Sequence, residues 1–140
     1  MFNACYKFVK TMQGYDSQVT GCASVLSADS KWESYLASIN DEYENHLAVA
    51  LTYDESVQFN QTYSKDGFWI GFKGDASNGW RTEHQEELPT FIQWATDEPK
   101  RIESGNLCAY VDLDGFWYSK TCTVSKPCFQ TNSVFVENFR

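Results

Sequence analysis

The sequence predicts a single α+β domain in which two helices precede a series of short strands, with one long ordered loop between strands. Three observations carry this. Val19, Cys22, Ala23 and Leu26 recur at three- and four-residue spacing within 15–28, and Asn40–Leu51 is a capped helical segment. From residue 68 onward, short apolar runs alternate with turn residues. Between Gly74 and Glu103 lies a polar stretch without period whose Trp80, Phe91, Ile92 and Trp94 argue against disorder.

The elements follow in order. Tyr6, Phe8 and Val9 in CYKFVK alternate as a first strand. The segment 15–28 fits a helix with one buried stripe, and Asp16-Ser17 is its expected cap. In NDEYENHLAVAL (40–51), Asn40 or Asp41 caps, acidic residues fill the first turn, and Tyr43, Leu47, Ala50 and Leu51 form the expected apolar face. Strands are expected at FWIGF (68–72), LCAYVDL (107–113), FWYSK (116–120) and SVFVENF (133–139). Asp114-Gly115 between two such runs is a tight-hairpin signal.

The 140 residues suffice for one core, and no linker or repeat divides them, so 1–140 reads as one domain. A net charge of −8 excludes the basic footprint of nucleic-acid or anionic-membrane binding. No apolar run approaches the roughly 20 residues of a membrane-spanning helix. MFNACYKFVK lacks a signal peptide's apolar core, so export is read from the cysteines. These stand at 5, 22, 108, 122 and 128, without a CxxC pair or clustered histidines that would suggest zinc. They read as a disulfide framework, hence a secreted or cell-surface setting, with reduced buried thiols as the alternative. Spacing alone leaves the pairing open. Two isolated histidines, no nucleophile elbow and no phosphate-cradling glycine loop leave catalysis without a constellation.

Several motifs occur in a telling order. Cys5-Tyr6-Lys7-Phe8 is followed by Leu36-Ala37-Ser38-Ile39 with Glu44, then Trp69-Ile70-Gly71. Glu98-Pro99, Cys108, Gly115-Phe116-Trp117 and Cys122 complete the series. Together they resemble the C-type lectin domain over nearly the whole chain. The resemblance implies two helices flanking small antiparallel sheets, a long ordered loop, and disulfides Cys22–Cys128 and Cys108–Cys122. Cys5 is then the odd cysteine, paired upstream or with another chain, or left as a buried thiol. Two departures stand out. Ser27–Ser34 looks like an insertion after the first helix, and Phe129 stands where the family often carries an acid, which weakens an auxiliary calcium site with Glu44.

In sugar-binding members of that family, calcium is held by Glu-Pro-Asn or Gln-Pro-Asp, an acid shortly before the third core cysteine, and Asn-Asp after the hairpin tryptophan. Calcium needs about six to eight oxygen ligands. Here Glu98 and Pro99 are kept, with Pro99 cis in the family. The amide slot is Lys100, the acidic slot Asn106, and the Asn-Asp slot Tyr118-Ser119. An ammonium has no lone pair to donate, so Lys100 pairs with Glu98 instead and the usual calcium site is lost. No cofactor is expected. Calcium at a non-standard site through Asp75, Asn78, Asp112 and Asp114 is the alternative to their reading as turn residues. Glu83, Glu86 and Glu87 read as a solvated run.

The expected ligand-binding residues are therefore Glu98, Lys100, Asn106, Tyr118 and Ser119. Trp80, Phe91, Trp94, Phe116 and Tyr118 offer sugar-stacking or interface surface, or hold the loop, while Trp69, Trp94 and Trp117 are expected in the core. Asn60-Gln61-Thr62 is a glycosylation sequon. The resemblance implies an extracellular module binding a glycan without the usual calcium mechanism. A protein-binding module using the long-loop face, or a structural or surface-associating secreted protein, are the alternatives. The expected partners are a glycan or an extracellular protein, with no nucleic acid and no membrane.

Overall fold

The computed structural model describes residues 4–24, 32–59, 67–84 and 86–134. Strand β1 (Ala4–Gln13) leads into helix α1 (Tyr15–Ser24), strand β2 (Trp32–Leu36) and helix α2 (Glu42–Phe59). Strands β3 (Phe68–Asp75), β4 (Gly79–Thr82), β5 (Asn106–Val111), β6 (Trp117–Thr121) and β7 (Lys126–Val134) follow.

Helix α1 begins immediately after Gly14, whose carbonyl accepts the Gln18 amide at 3.0 Å. Asp16 therefore lies in the first turn and does not cap the helix, and its charge still suits the positive N-terminal end. Among the described side chains of this helix, Tyr15 and Gln18 are buried and Val19 is half-buried, while those of Cys22 and Ala23 lie outside the described residues. Leu26, and residues 27–31 of the suspected insertion, lie outside the described residues, but Trp32–Ser34 belong to β2.

Helix α2 runs two turns beyond its expected end. Asp41 caps it, its Oδ1 accepting the Glu44 amide at 2.8 Å, and Glu44 reaches back to the Asn40 amide at 2.8 Å. The expected apolar face is met in part: Leu51 packs against the core and Leu47 is half-buried. Tyr43 is 75% exposed and Ala50 is exposed, whereas Asn45, Ala48 and Thr52 are buried. Two of those three are polar and satisfied in place: the Thr52 hydroxyl donates to the Ala48 carbonyl at 2.9 Å, and Asn45 bonds across to the β5–β6 turn. Hydrophobic periodicity does not register such residues as inward-facing.

The strands form one sheet in the order β1-β7-β3-β5-β6, with β2 also on β7 and β4 also on β3. β7 is the hub. It pairs antiparallel with β1 (Phe8 opposite Phe129) and β2 (Tyr35 opposite Thr131), and parallel with β3 at Trp69–Cys128. Of the expected last strand, 133–139, residues 133–134 fall in β7 and 135–139 lie outside the described residues. Gly71 at the centre of the Trp-Ile-Gly motif is required by close approach: a Cβ there would lie 2.5 Å from the Leu36 carbonyl oxygen. Its amide donates to the Ala37 carbonyl at 2.7 Å. One apolar cluster gathers Ile39, Ala48, Phe68, Ile70, Val111 and Trp117; a second gathers Tyr15, Leu36, Trp69, Cys108 and Cys128.

Cys108 and Cys122 are disulfide-bonded. Asn60 and the side chains of Cys5 and Cys22 lie outside the described residues.

Candidate functional site

The long loop is held against β6 by backbone and rings together. Trp117 donates its amide to the Gln93 carbonyl at 2.8 Å, and its carbonyl accepts the Ala95 amide at 2.9 Å. Around this bridge pack Phe72, Trp80, Phe91 and Trp94, with Trp80 and Trp94 centroids 4.9 Å apart and Phe91 and Trp117 5.8 Å apart. Offset and edge-on ring pairs of this kind add to area burial. Trp69 and Trp117 are fully buried and Trp94 is half-buried, while Phe116 stays exposed.

This anchoring delivers residues 98–100 to Ser119. The Glu98–Pro99 peptide is cis. Glu98 Oε1 accepts from both the Ser119 amide, at 2.8 Å, and the Ser119 hydroxyl, at 2.6 Å. The same hydroxyl accepts the Lys100 amide at 2.8 Å. Glu98 Oε2 lies 3.2 Å from Lys100 Nζ, which also donates to the Asp97 carbonyl at 3.3 Å. Only 7% of the Glu98 side chain is exposed, against 62% for Lys100. Burial by itself raises the Glu98 pKa. The Ser119 hydroxyl and amide and the Lys100 ammonium outweigh it, so the carboxyl is held below its ordinary value.

Of the five expected ligand residues, the structure brings Glu98, Lys100 and Ser119 together. Ser119 is buried and engaged within the chain. Tyr118 lies on the opposite face of β6, because neighbours on a strand point to opposite sides. There its ring stacks on its cross-strand partner Tyr110 at 5.2 Å, and a hydrogen bond to Asp112 raises its pKa. Asn106 is exposed at the start of β5, opposite Asp75 of β3.

That donor set does not fit a calcium ion. The one carboxylate in the slots has both oxygens committed, and an ammonium stands beside it. The auxiliary position, Phe129, is fully buried in the core. The non-standard set is split between two turns. Asp75 Oδ1 accepts the Ser77 and Asn78 amides of the β3–β4 turn, which lowers its pKa. Asp112 Oδ1 accepts the Asp114 and Phe116 amides of the β5–β6 turn. The two turns sit at opposite ends of β5, roughly 16 Å apart at strand rise. Among the described residues, no three histidine, cysteine or acidic side chains gather as a metal-holding group. Glu83 leaves the acidic run to approach Lys73 at 3.6 Å.

Sequence reasoning missed Asn45. Its amide donates to the Gly115 carbonyl at 2.9 Å, and its oxygen accepts the Trp117 indole N–H at 2.8 Å. One helix residue thus ties α2 to the hairpin turn and to the ring that holds the long loop. The available signal was the buried indole itself, which needs an acceptor.

A two-helix domain whose long loop is clamped to a disulfide-stapled hairpin has the architecture of a lectin-type recognition domain. The sequence model of the Lectin C-type domain matches residues 29–129, and the chain belongs to that family. Among solved structures, CEL-IV is similar with a TM-score of 0.74 at 14% identity, over 92% of this chain and 86% of that one. SPL-1 in complex with GlcNAc gives 0.67 at 20% identity, over 91% and 86%. A calcium-independent type II antifreeze protein gives 0.65 at 20% identity, over 91% and 85%. At these identities the likeness is one of fold.

Proposed function

We propose that this domain is an extracellular recognition module that binds a glycan or glycoconjugate without the calcium mechanism of its family. The observation that carries this reading is the internal engagement of Glu98. Ser119 and Lys100 take up the oxygens that would otherwise face an ion. What remains for a ligand is the exposed Lys100 ammonium, with Asn106 exposed at the start of β5, Tyr118 on the other face of β6, and Glu98 and Ser119 shaping the loop. A similar fold holds GlcNAc in SPL-1. The setting is oxidising, with a Cys22–Cys128 bridge beside Cys108–Cys122 and a glycan on Asn60. The module binds and does not catalyse.

A second reading, a protein ligand on the long-loop face, is favoured by the exposure of Leu88, Ile92 and Phe116 there. A glycan array run in calcium and again in chelator separates the two. Saturable binding that survives chelator and falls with Lys100→Ala supports the calcium-free lectin. Binding that disappears in chelator overturns it, and silence in both buffers favours the protein ligand.

A further inference from the structure

We infer that a groove between α2 and the long loop docks a lysine or arginine side chain of a protein partner. The groove is concave, with a volume of about 380 Å³, and lies apart from the Glu98–Ser119 cluster. Its walls are three elements fixed to one another. Asn45 holds α2 to the β5–β6 turn through the Gly115 carbonyl and to Trp117, and Trp117 in turn holds Gln93 of the loop. The cleft is thus pre-formed, which lowers the ordering cost of binding.

Its chemistry is two-part. Val49, Ala50, Tyr53 and Phe91 line it with apolar and aromatic groups. Two carboxylates, Glu42 and Asp114, line the same space, and His46 Nε2 stands 3.7 Å from Glu42 Oε1. Among the described lining residues there is no lysine or arginine. An apolar trough edged by carboxylates matches an alkyl stem that ends in a cation, and the rings add cation–π attraction.

The surroundings point to a protein as the carrier of that cation. Tyr43, His46, Ala50 and Tyr53 fall at helical spacing along the outer side of α2, and Tyr43 and Tyr53 are 75% and 56% exposed. Ile92 and Phe116, sequence neighbours of groove residues, are exposed as well. An outward stripe rich in exposed aromatic side chains marks an interaction surface. This inference is independent of the glycan reading.

The test is a titration of ¹⁵N-labelled protein with acetyl-Gly-Arg-Gly-amide, with the citrulline analogue as the uncharged control of equal shape. Saturable amide shifts clustered at 45–53, 91–93 and 114–115, absent with citrulline, are expected. Asp114→Asn and Glu42→Gln each weaken binding roughly two- to five-fold, the range for an exposed charge pair. Ala50→Lys, an exposed substitution that keeps a dispersed spectrum, abolishes it by placing a cation in the trough. Equal shifts with citrulline, shifts scattered over the acidic surface, or none at all overturn the inference. So do the same shifts produced by concentrating the protein alone, which would mean that a second copy fills the groove.

Discussion

Replacing Asn45 with alanine tests whether one amide holds the loop, the turn and the helix in register. The side chain makes two buried bonds, to the Gly115 carbonyl at 2.9 Å and from the Trp117 indole at 2.8 Å. Trp117 is 1% exposed, so its N–H has no water to turn to. An unsatisfied buried partner costs about 1–3 kcal/mol. The indole donor contributes near the top of that range and the carbonyl, with a second lone pair, near the bottom. The sum is about 4 kcal/mol, or roughly 14 °C in Tm for a chain of this size. Guanidinium unfolding of the oxidised protein, followed by tryptophan fluorescence, reads the loss directly, with an unchanged m-value. A loss below about 1 kcal/mol would refute the reasoning, because it would mean that water replaces the amide and that the three elements are held by packing alone.

Other expectations concern the loop and its staple. Because the Glu98 carboxyl is held below its ordinary value, its charge stabilises the fold above the unfolded pKa, and that stabilisation is lost as pH falls through the folded one. The urea midpoints of the native protein and Glu98→Gln should therefore converge on going from pH 6 to acid; a constant gap would contradict the ion pair. Combining Lys100→Asn, Asn106→Glu and Ser119→Asp frees Glu98 and sets oxygen-bearing side chains in the slots around it. Calcium affinity by titration calorimetry is expected, and its absence would show the slot alignment to be wrong. Removing the 14-residue Cys108–Cys122 closure by a double alanine substitution should cost about 3 kcal/mol in the chain-entropy view, measured by thermal unfolding. Gly115→Ala should destabilise by more than about 1 kcal/mol, as φ is 87° and the new Cβ would sit 3.2 Å from Asn45 Nδ2; an unchanged Tm would contradict it.

The parts legible in the sequence were those whose residues announce themselves locally. The Trp-Ile-Gly strand, the β5–β6 hairpin and the capped start of α2 each combine a short period with a turn or cap residue. β4 did not, being four residues, Gly79–Thr82, that pair only because β3 lies alongside. β7 opens Lys-Pro-Cys and continues through polar residues, so its identity as a strand comes from the three strands around it. The face of α2 was read only in part, at Leu47 and Leu51, because Asn45 and Thr52 turn inward with their polar atoms satisfied. At the site, the pairing of Lys100 with Glu98 followed from the slots that the family resemblance implies, together with the opposite charges of the two residues. The separation of Tyr118 from Ser119 was also within reach of the sequence, since successive side chains alternate between the faces of a strand.

The hub position of β7 governs the order in which this domain can form. It is the last described strand, yet β1, β2 and β3 all bond to it, and Ala4 finds its partner at Ser133, across almost the full length of the chain. Contacts of such long sequence separation close slowly. During synthesis, the edges of three earlier strands stay open until residues 126–134 emerge, and open edges are templates for association with other chains. The vulnerable moment in the life of this domain is therefore the interval just before its final strand arrives, when most of the sheet has been made and nothing yet joins its two halves.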